Sequence, residues 1–269
     1  MIKKDVVIVT QHFYPEQGAS AQLMNDVAQG LQNRGINVRV LTMANNRNKE
    51  KLDNIEVHYL KKRVRAEKNS TSIQNKLAKG IFFFYSSLIW CSRNTKQGDT
   101  LLIASNPPFI GLLGTILKFT KSTNYIFIFQ DIFPRSAILS GAIKKNGLAA
   151  YALNGIMRLT CRCASYTIVL SESMKKRFYK DIGRLKTLRV IPNWSIVKYE
   201  GSVRSTNLFA KKHSFANYFT VQYSGNFGRL HDIETILKAA TDLRNIPIRF
   251  VFIGGGFKEK IIKDYIKMD

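Results

Sequence analysis

Short β-branched runs alternate with longer segments of helical periodicity along the 269-residue chain. Most of these runs are apolar at successive positions, which is typical of parallel strands covered on both faces. Such an alternation predicts an α/β fold with a parallel sheet. In the first 191 residues the predicted strands are 6–10, 38–42, 55–60, 100–104, 125–130, 166–170 and 188–191.

A change in composition divides the chain into two predicted domains. Residues 191–206 are polar and fit neither helical nor strand periodicity, which is typical of a linker. We therefore expect a Rossmann-like domain over residues 1–190 and a second α/β domain over residues 207–269. The length is compatible with this division, since a domain takes about 150 residues.

The second predicted domain contains few strands. Its runs at 219–224 and 249–253 enclose one helical segment, whereas a doubly wound sheet usually has about five or six strands. We therefore expect this domain to be incomplete and to expose apolar surface on Phe250, Phe252 and Ile253.

Both predicted strands of the second domain end in a glycine turn before a helical segment. The turns are Gly225-Asn226-Phe227-Gly228 and Gly254-Gly255-Gly256. Backbone amides at such positions, together with the helix dipole, favour a bound phosphate. A single glycine here is more often only a turn, but two in one βαβ unit indicate a nucleoside diphosphate site. Arg229 is a candidate phosphate ligand, the alternative being a solvated arginine.

Three loops of the first domain follow predicted strands, where open α/β sheets bind ligands. The first loop carries His12 and Glu16, a candidate base and acid, and Gly18 before a helix. The second contains Asn106, and the third begins at Asp131. An exposed pair such as His12 and Glu16 is more often unreactive than catalytic. Asp131 ends a buried strand, so its carboxylate must find a partner or face the cleft.

The chain has 42 Lys+Arg and 18 Asp+Glu, a formal net charge of +24. A positive field of this size attracts nucleic acid, anionic lipid or phosphate-bearing substrates. A basic run that includes Lys175, Lys176 and Arg177 is either a solvated helix face or a patch for a membrane surface. A second basic cluster spans residues 61–68. Nucleic acid is the third choice, because no nucleic-acid-binding motif occurs.

Three cysteines occur, Cys91, Cys161 and Cys163, and no His is beside them. Neither a disulfide framework nor a zinc site is indicated, and we expect the cysteines to be small buried apolar residues.

The longest apolar stretch, residues 80–91, is too short for the roughly 20 residues of a membrane-spanning helix. It is either a buried helix or an interfacial anchor bracketed by basic residues.

Six motifs occur in a fixed order along the chain. They are Phe13-Tyr14-Pro15-Glu16 with Gly18, Asn106-Pro107-Pro108, Asp131-Ile132-Phe133-Pro134 with Gly141, Ile191-Pro192-Asn193-Trp194, Tyr223-Ser224-Gly225-Asn226-Phe227-Gly228 and Ile253-Gly254-Gly255-Gly256. With these motifs the chain resembles the retaining glycosyltransferases of family 4. Within that family it is similar to the bacterial branch that builds O-antigen, capsule and colanic-acid-type polysaccharides. The resemblance implies a GT-B architecture of two facing Rossmann-like domains, with the second truncated.

The resemblance also implies partners and residue roles. A nucleotide-sugar donor would bind Gly18, Gly225, Asn226, Gly228, Arg229, Gly254 and Gly255. A lipid-linked saccharide acceptor and an anionic membrane surface would bind His12, Asn106, Lys175, Lys176 and Arg177. Asp131 would be the catalytic residue that orients the acceptor or the sugar. No metal, other cofactor or nucleic acid is implied, and the protein is expected in the cytoplasm at the inner face of the cell membrane.

The sequence departs from the family pattern at two places. Where many members carry an Arg and a Lys on the donor phosphates, this chain has Asn226 and Asp232. The family's pair of glutamates eight residues apart does not occur in the right context. One alternative is therefore a truncated, non-catalytic fragment that binds a membrane or a partner. Another is a nucleic-acid binder driven by charge.

Overall fold

The computed structural model describes residues 5–16, 18–44, 49–52, 54–61, 73–139, 141–195, 201, 203, 205–215, 218–229 and 231–268. The chain divides into two compact units, residues 1–196 and 197–269. This division falls inside the predicted linker. Residues 62–68, which make up most of the second basic cluster, lie outside the described residues.

The first unit is built on one twisted layer of strands that alternate with helices. The strands are β1 (Val6–Val9), β2 (Val38–Ala44), β3 (Lys49–Leu52), β4 (Ile55–Lys61), β5 (Thr100–Ala104), β6 (Asn124–Phe129), β7 (Tyr166–Val169) and β8 (Leu188–Val190). The helices are α1 (Ala19–Gln32), α2 (Ile73–Asn94), α3 (Gly111–Lys121), α4 (Arg135–Leu139), α5 (Leu148–Cys163) and α6 (Glu172–Asp181). Over the described residues the strand order is β3-β4-β2-β1-β5-β6-β7-β8.

All described neighbouring strands in this sheet are parallel except β3 and β4. The predicted α/β fold with a parallel sheet is therefore confirmed. The sequence analysis missed β3, whose residues read Lys-Glu-Lys-Leu. These residues lack the β-branched character that marks the other strands, and charged residues are typical of an exposed sheet edge.

Helices cover both faces of the sheet, and alternate residues of β1 show how. Ile8 lies in a buried cluster with Leu23 of α1. Its neighbour Val7 lies in the other buried cluster, with Phe83 of α2 and Met157 of α5. Burial on both faces explains why the strands read as continuous apolar runs.

Paired charges close the amino end of this sheet. The Arg39 guanidinium lies 3.4 Å from the Asp5 carboxylate and 3.6 Å from the buried Asp99 carboxylate. Asp99 also accepts hydrogen bonds from the backbone amides of Asp5 and Lys96. These charges satisfy one another at the end of the strands opposite to the candidate loops.

Helices α3 and α5 approach closely over the buried side chain of Tyr125. Its hydroxyl donates to the Thr160 carbonyl of α5 at 2.6 Å and lies 2.9 Å from Thr115 Oγ1 of α3. Burial raises the pKa of Tyr125, so the phenol keeps its proton. A β-carbon at Gly114 would lie 2.6 Å from this fixed ring. Packing therefore requires glycine at position 114.

The three cysteines are free thiols. Cys91 and Cys161 are buried, and desolvation raises the pKa of each thiol to about 12. Cys163 is only half-buried. The first two therefore behave as the small apolar core residues that the sequence indicated.

The apolar stretch 80–91 lies within α2. Phe83 and Cys91 are buried, as the core-helix interpretation expects, but Tyr85 and Ile89 are 60% and 51% exposed. The helix therefore has an apolar outer side as well as an apolar inner side. Among the described helices, none has both the length and the apolar character that crossing a bilayer requires.

The second unit contains α7 (Leu208–Lys212), β9 (Phe219–Asn226), α8 (Ile233–Asp242), β10 (Ile248–Gly255) and α9 (Glu259–Met268). In its described part β9 and β10 form a two-stranded parallel sheet. Phe227, Ile233 and Ile262 belong to a small buried cluster that joins the strands to α8 and α9. Ile253 is exposed, as expected, but Phe250 and Phe252 are half-buried, and Phe252 packs against this cluster.

We expect Gly114→Ala to destabilise the protein by about 1–3 kcal/mol, because the added methyl group overpacks the contact with Tyr125. Gly155→Ala on α5 is the matched control, since Gly155 is exposed and no atom lies within 4 Å of its β-carbon position. The control is expected to stabilise by about 0.5–1 kcal/mol through helix propensity alone. Urea unfolding measures both values, and equal effects would contradict the packing argument.

Candidate functional site

The carboxyl ends of the parallel strands bring the candidate loops of the first unit to one edge of the sheet. β1 pairs with β2 on one side and with β5 on the other. The chain leaves β1 toward β2 and returns to the other side of β1 only at β5, so a topological switch point lies between β1 and β5. Open α/β sheets bind their ligands at such a point.

The loop after β1 carries an exposed pair of titratable groups. His12 Nδ1 and Glu16 Oε2 lie 2.6 Å apart, and the two side chains are 45% and 50% exposed. Thr10 Oγ1 donates to the His12 carbonyl at 3.0 Å, which fixes the start of the loop. Gly18 then caps α1 in an extended conformation, with no atom near its β-carbon position. Gly18 therefore contributes open space rather than an unusual backbone angle.

The loops after β5 and β6 are joined to one another. Ser105 Oγ accepts a hydrogen bond from the Gln130 amide at 3.0 Å. This bond ties the residue before Asn106 to the residue before Asp131. Both Asn106 and Asp131 are exposed. Asp131 is therefore not buried, and its place on an exposed loop leaves both alternatives for its carboxylate, a partner or the cleft, as predictions.

The Ile191-Pro192-Asn193-Trp194 motif reaches across the first unit. Trp194 Nε1 donates to Asp26 Oδ2 of α1 at 2.7 Å, although the two residues are 168 positions apart. This hydrogen bond links the segment that follows the edge strand β8 to α1, the helix that follows β1. Sequence reasoning singled out Trp194 only as part of a motif and missed Asp26, which has no local signal.

The predicted membrane patch on α6 is partly neutralised by acidic neighbours. Lys175 lies 3.2 Å from Glu172, and Arg177 Nε lies 2.8 Å from Asp181. Lys176 is exposed. The patch therefore offers fewer uncompensated positive charges than its sequence suggests.

In the second unit the register of β9 and β10 places the two glycine turns side by side. Gly225 pairs with Gly254, and Asn226 pairs with Gly255. Gly225 and Gly254 have φ values of +143° and +141°, which favour glycine. A β-carbon on Gly254 would lie 1.9 Å from the Gly225 carbonyl oxygen. Glycine at position 254 is therefore what allows the two turns to come together.

Arg229 connects the two turns. Its guanidinium carbon lies 4.3 Å from the ring centroid of Phe257, which follows the second glycine turn. Cation–π stacking of this kind holds the planar guanidinium over the ring. Arg229 therefore links the segments that follow the two turns, and its donor-binding role stays a prediction.

Lys258 is a residue at this edge that sequence reasoning missed. Its ammonium donates to the His231 carbonyl at 2.7 Å and to Glu234 Oε2 at 2.6 Å. The hydrogen bond from Lys258 lowers the pKa of the Glu234 carboxyl. The Tyr223 hydroxyl oxygen and His231 Nδ1 lie 2.5 Å apart. The sequence signal for Lys258 was its place two residues after three glycines.

Carboxylates lie at the starts of both helices, where the sequence predicted a phosphate. Asp232 caps α8 by accepting from the amide and hydroxyl of Thr235, and these bonds lower its pKa. Glu259 lies beside Gly255 at the start of α9. Its pKa is lowered by Lys263 and by a hydrogen bond from the Gly256 backbone. A phosphate at either helix start would therefore compete with a carboxylate of the chain itself, and the phosphate site stays a prediction.

The described residues contain no group of three or more His, Cys, Asp or Glu arranged to hold a metal ion. The expectation that the protein uses no metal or other cofactor stays a prediction. The roles assigned to individual glycines and to Asp131 also stay predictions.

Comparison with known proteins identifies the family. The model of Glycosyltransferase Family 4 matches residues 20–194, which is more than half of the chain. The chain belongs to glycosyltransferase family 4. Among curated proteins, this family 4 chain is similar to the probable glycosyltransferase WbjE of Pseudomonas aeruginosa, with 24% identity over 197 residues. The match covers 72% of this chain and 49% of WbjE, so the chain spans about half the length of that relative.

Solved structures show the same fold for this family 4 chain. It is similar to Anabaena Alr3699/HepE in complex with UDP and glucose, with a TM-score of 0.65 and 16% identity over 98% of this chain and 65% of HepE. It is also similar to WaaG, a glycosyltransferase involved in lipopolysaccharide biosynthesis, with a TM-score of 0.65 and 12% identity over 98% of this chain and 67% of WaaG. The predicted GT-B-like fold is therefore confirmed.

We expect Glu259→Gln to strengthen binding of inorganic pyrophosphate to this family 4 chain by about two- to fivefold, because one negative charge at the start of α9 is removed. Asp264→Asn, an exposed position later in α9, is the matched control and should leave affinity unchanged. Isothermal titration calorimetry at neutral pH measures both. Equal affinities for wild type and Glu259→Gln would show that pyrophosphate binds elsewhere.

Proposed function

We propose that this chain takes part in transferring a sugar, with retention, from a nucleoside diphosphate donor to a lipid-linked saccharide acceptor. Family membership supports a glycosyltransferase over the non-catalytic and nucleic-acid-binding alternatives. The likeness to HepE, solved with UDP and glucose, supports a nucleotide-sugar donor. The likeness to WaaG supports a role in polysaccharide assembly.

The observation that carries this proposal is the pairing of the two glycine turns with Arg229 across them. Gly225 and Gly254 are paired in register at the carboxyl ends of parallel strands, in the turns that lead to α8 and α9. The Arg229 guanidinium stacks on Phe257, which follows the second turn. A guanidinium and clustered backbone amides at one point suit a diphosphate with several negative oxygens.

Transfer would depend on stabilising the leaving diphosphate. Negative charge grows on the diphosphate as the sugar carbon becomes oxocarbenium-like, and fixed donors aimed at that charge lower the barrier. Arg229 and the amides of the glycine turns would supply these donors. Lys258 would add a second cation, since its ammonium lies at the same edge, between His231 and Glu234.

The first unit would hold the acceptor at its switch point. Asn106 and Asp131 are exposed on neighbouring loops that Ser105 ties together. Asp131 would orient the acceptor hydroxyl or the sugar by hydrogen bonding. His12, paired with Glu16, would contact the acceptor from the loop after β1. We assign no nucleophile.

A lipid-linked acceptor would be held in a membrane, and we propose that the reaction takes place at the inner face of the cell membrane. Under this proposal the partners are a nucleotide sugar, a lipid-linked saccharide and an anionic membrane surface, with no nucleic acid. The net charge of +24 suits both phosphate-bearing substrates and anionic lipid.

We expect Arg229→Ala to weaken binding of UDP, ADP or GDP, whichever binds the wild type, by about tenfold or more, because a charge-assisted hydrogen bond is lost. Arg249→Ala is the matched control. Arg249 also stacks at 4.3 Å on a ring, that of Tyr218, but lies at the amino end of β10. Calorimetric titration gives the dissociation constants.

Two outcomes of that titration would overturn the donor site. One is equal weakening by both arginine variants, which would indicate a general effect of lost charge or stability. The other is wild-type protein that binds none of the three nucleotides at millimolar concentration.

A further inference from the structure

Apolar side chains point outward at regular spacing along α2. Leu77, Ile81, Tyr85 and Ile89 are 53%, 43%, 60% and 51% exposed. A spacing of four residues places them on one side of the helix. The opposite side, which includes Phe83, is buried against the sheet. The outer stripe of α2 is therefore apolar although it does not contribute to the core.

The neighbouring helices continue this apolar surface. Phe119 of α3 is 74% exposed, and Leu148 and Tyr151 of α5 are 86% and 71% exposed. Helix α3 contacts both α2 and α5, and all three send their inner residues into one core cluster. Their outer sides therefore form one surface, which we call the outer helical face.

The outer helical face is basic and contains no acidic residue. The sequences of α2, α3 and α5 have no Asp or Glu. Lys79, Arg93 and Arg162 are exposed on these helices. The amine of Lys118 donates to the Cys163 carbonyl at 2.7 Å, and the guanidinium of Arg158 donates to the Asp181 carbonyl. Because these acceptors are neutral carbonyls, the positive charge of the face is kept, in contrast to the paired charges on α6.

We propose that the outer helical face docks onto an anionic lipid bilayer. Exposed aromatic and aliphatic side chains gain by entering the headgroup region, and uncompensated Lys and Arg are attracted to anionic headgroups. A second copy of this face would meet it with like charge, which disfavours self-association. Duplex nucleic acid would match the charge but leave the apolar side chains without a partner.

Docking by this face would place the acceptor loops near the lipid. A helix that follows a parallel strand runs back along the sheet, so α2, α3 and α5 all begin at its carboxyl edge. Leu77, Leu148 and Tyr151 therefore lie toward the edge that carries Asn106 and Asp131. This link to a lipid-borne acceptor rests on the proposed function, whereas the docking itself does not.

Vesicle partitioning of the full chain tests the docking face. The wild type is expected to bind vesicles of phosphatidylcholine and phosphatidylglycerol and to bind pure phosphatidylcholine at least tenfold more weakly. Tyr85→Ser/Ile89→Ser on α2 and Leu148→Ser/Tyr151→Ser on α5 are each expected to lower binding to the anionic vesicles about tenfold or more. Phe219→Ser/Ile246→Ser, at exposed apolar positions of the second unit, is the matched control and should bind as the wild type does.

Charge variants test the same face without changing its apolar side chains. Lys79→Glu/Arg93→Glu is expected to lower anionic-vesicle binding about tenfold or more. Lys238→Glu/Lys260→Glu changes the net charge equally at exposed positions of the second unit and should have a smaller effect. Circular dichroism confirms that each variant is folded.

Three results would overturn the docking proposal. The first is equal loss of binding in face variants and their controls. The second is equal binding to charged and neutral vesicles. The third is a concentration-dependent dimer in analytical ultracentrifugation that the face variants abolish, which would make the face a contact between two copies. Calorimetric titration with nucleoside diphosphate is done in parallel, so failure of the donor site is distinguished from failure of docking.

Discussion

Backbone hydrogen bonding between parallel strands is the constraint on which the candidate sites depend. Parallel pairing brings the carboxyl ends of neighbouring strands to the same edge, whatever the side chains are. In the first unit it brings together the loops after β1, β5 and β6, and in the second it aligns Gly225 with Gly254. No long-range side-chain contact is needed to collect these loops. The side chains decide only what the edge can bind.

The distribution of charge matters more than its sum. Arg39 and Asp99 neutralise each other at the amino end of the first sheet, and Lys175 and Arg177 have acidic partners on α6. Helices α2, α3 and α5 keep their cations because they contain no acidic residue. On the described part of these helices, uncompensated positive charge thus lies on a surface that is also apolar. This combination distinguishes a lipid surface from a solvated basic helix, whose outer residues would be polar.

The sequence predicted those features that depend on local pattern. Apolar β-branched runs gave seven strands of the first unit, and glycines after strands gave both turns of the second. The edge strand β3 was missed because its charged residues carry no strand pattern of their own. Its strand conformation depends on pairing with β4. Asp26 and Lys258 were missed for a similar reason. Their partners, Trp194 and Glu234, are brought to them only by the fold.

The two helix starts of the second unit differ in how readily they can accept a phosphate. Asp232 caps α8 through both the amide and the hydroxyl of Thr235, so displacing it would uncap the helix. Glu259 has another partner, since Lys263 lies 2.6 Å from its carboxylate one turn along α9. If Glu259 moves toward Lys263, the Gly256 amide is freed while the carboxylate stays paired. We therefore expect the turn after β10, and not the turn after β9, to be the one that exchanges its own carboxylate for a phosphate.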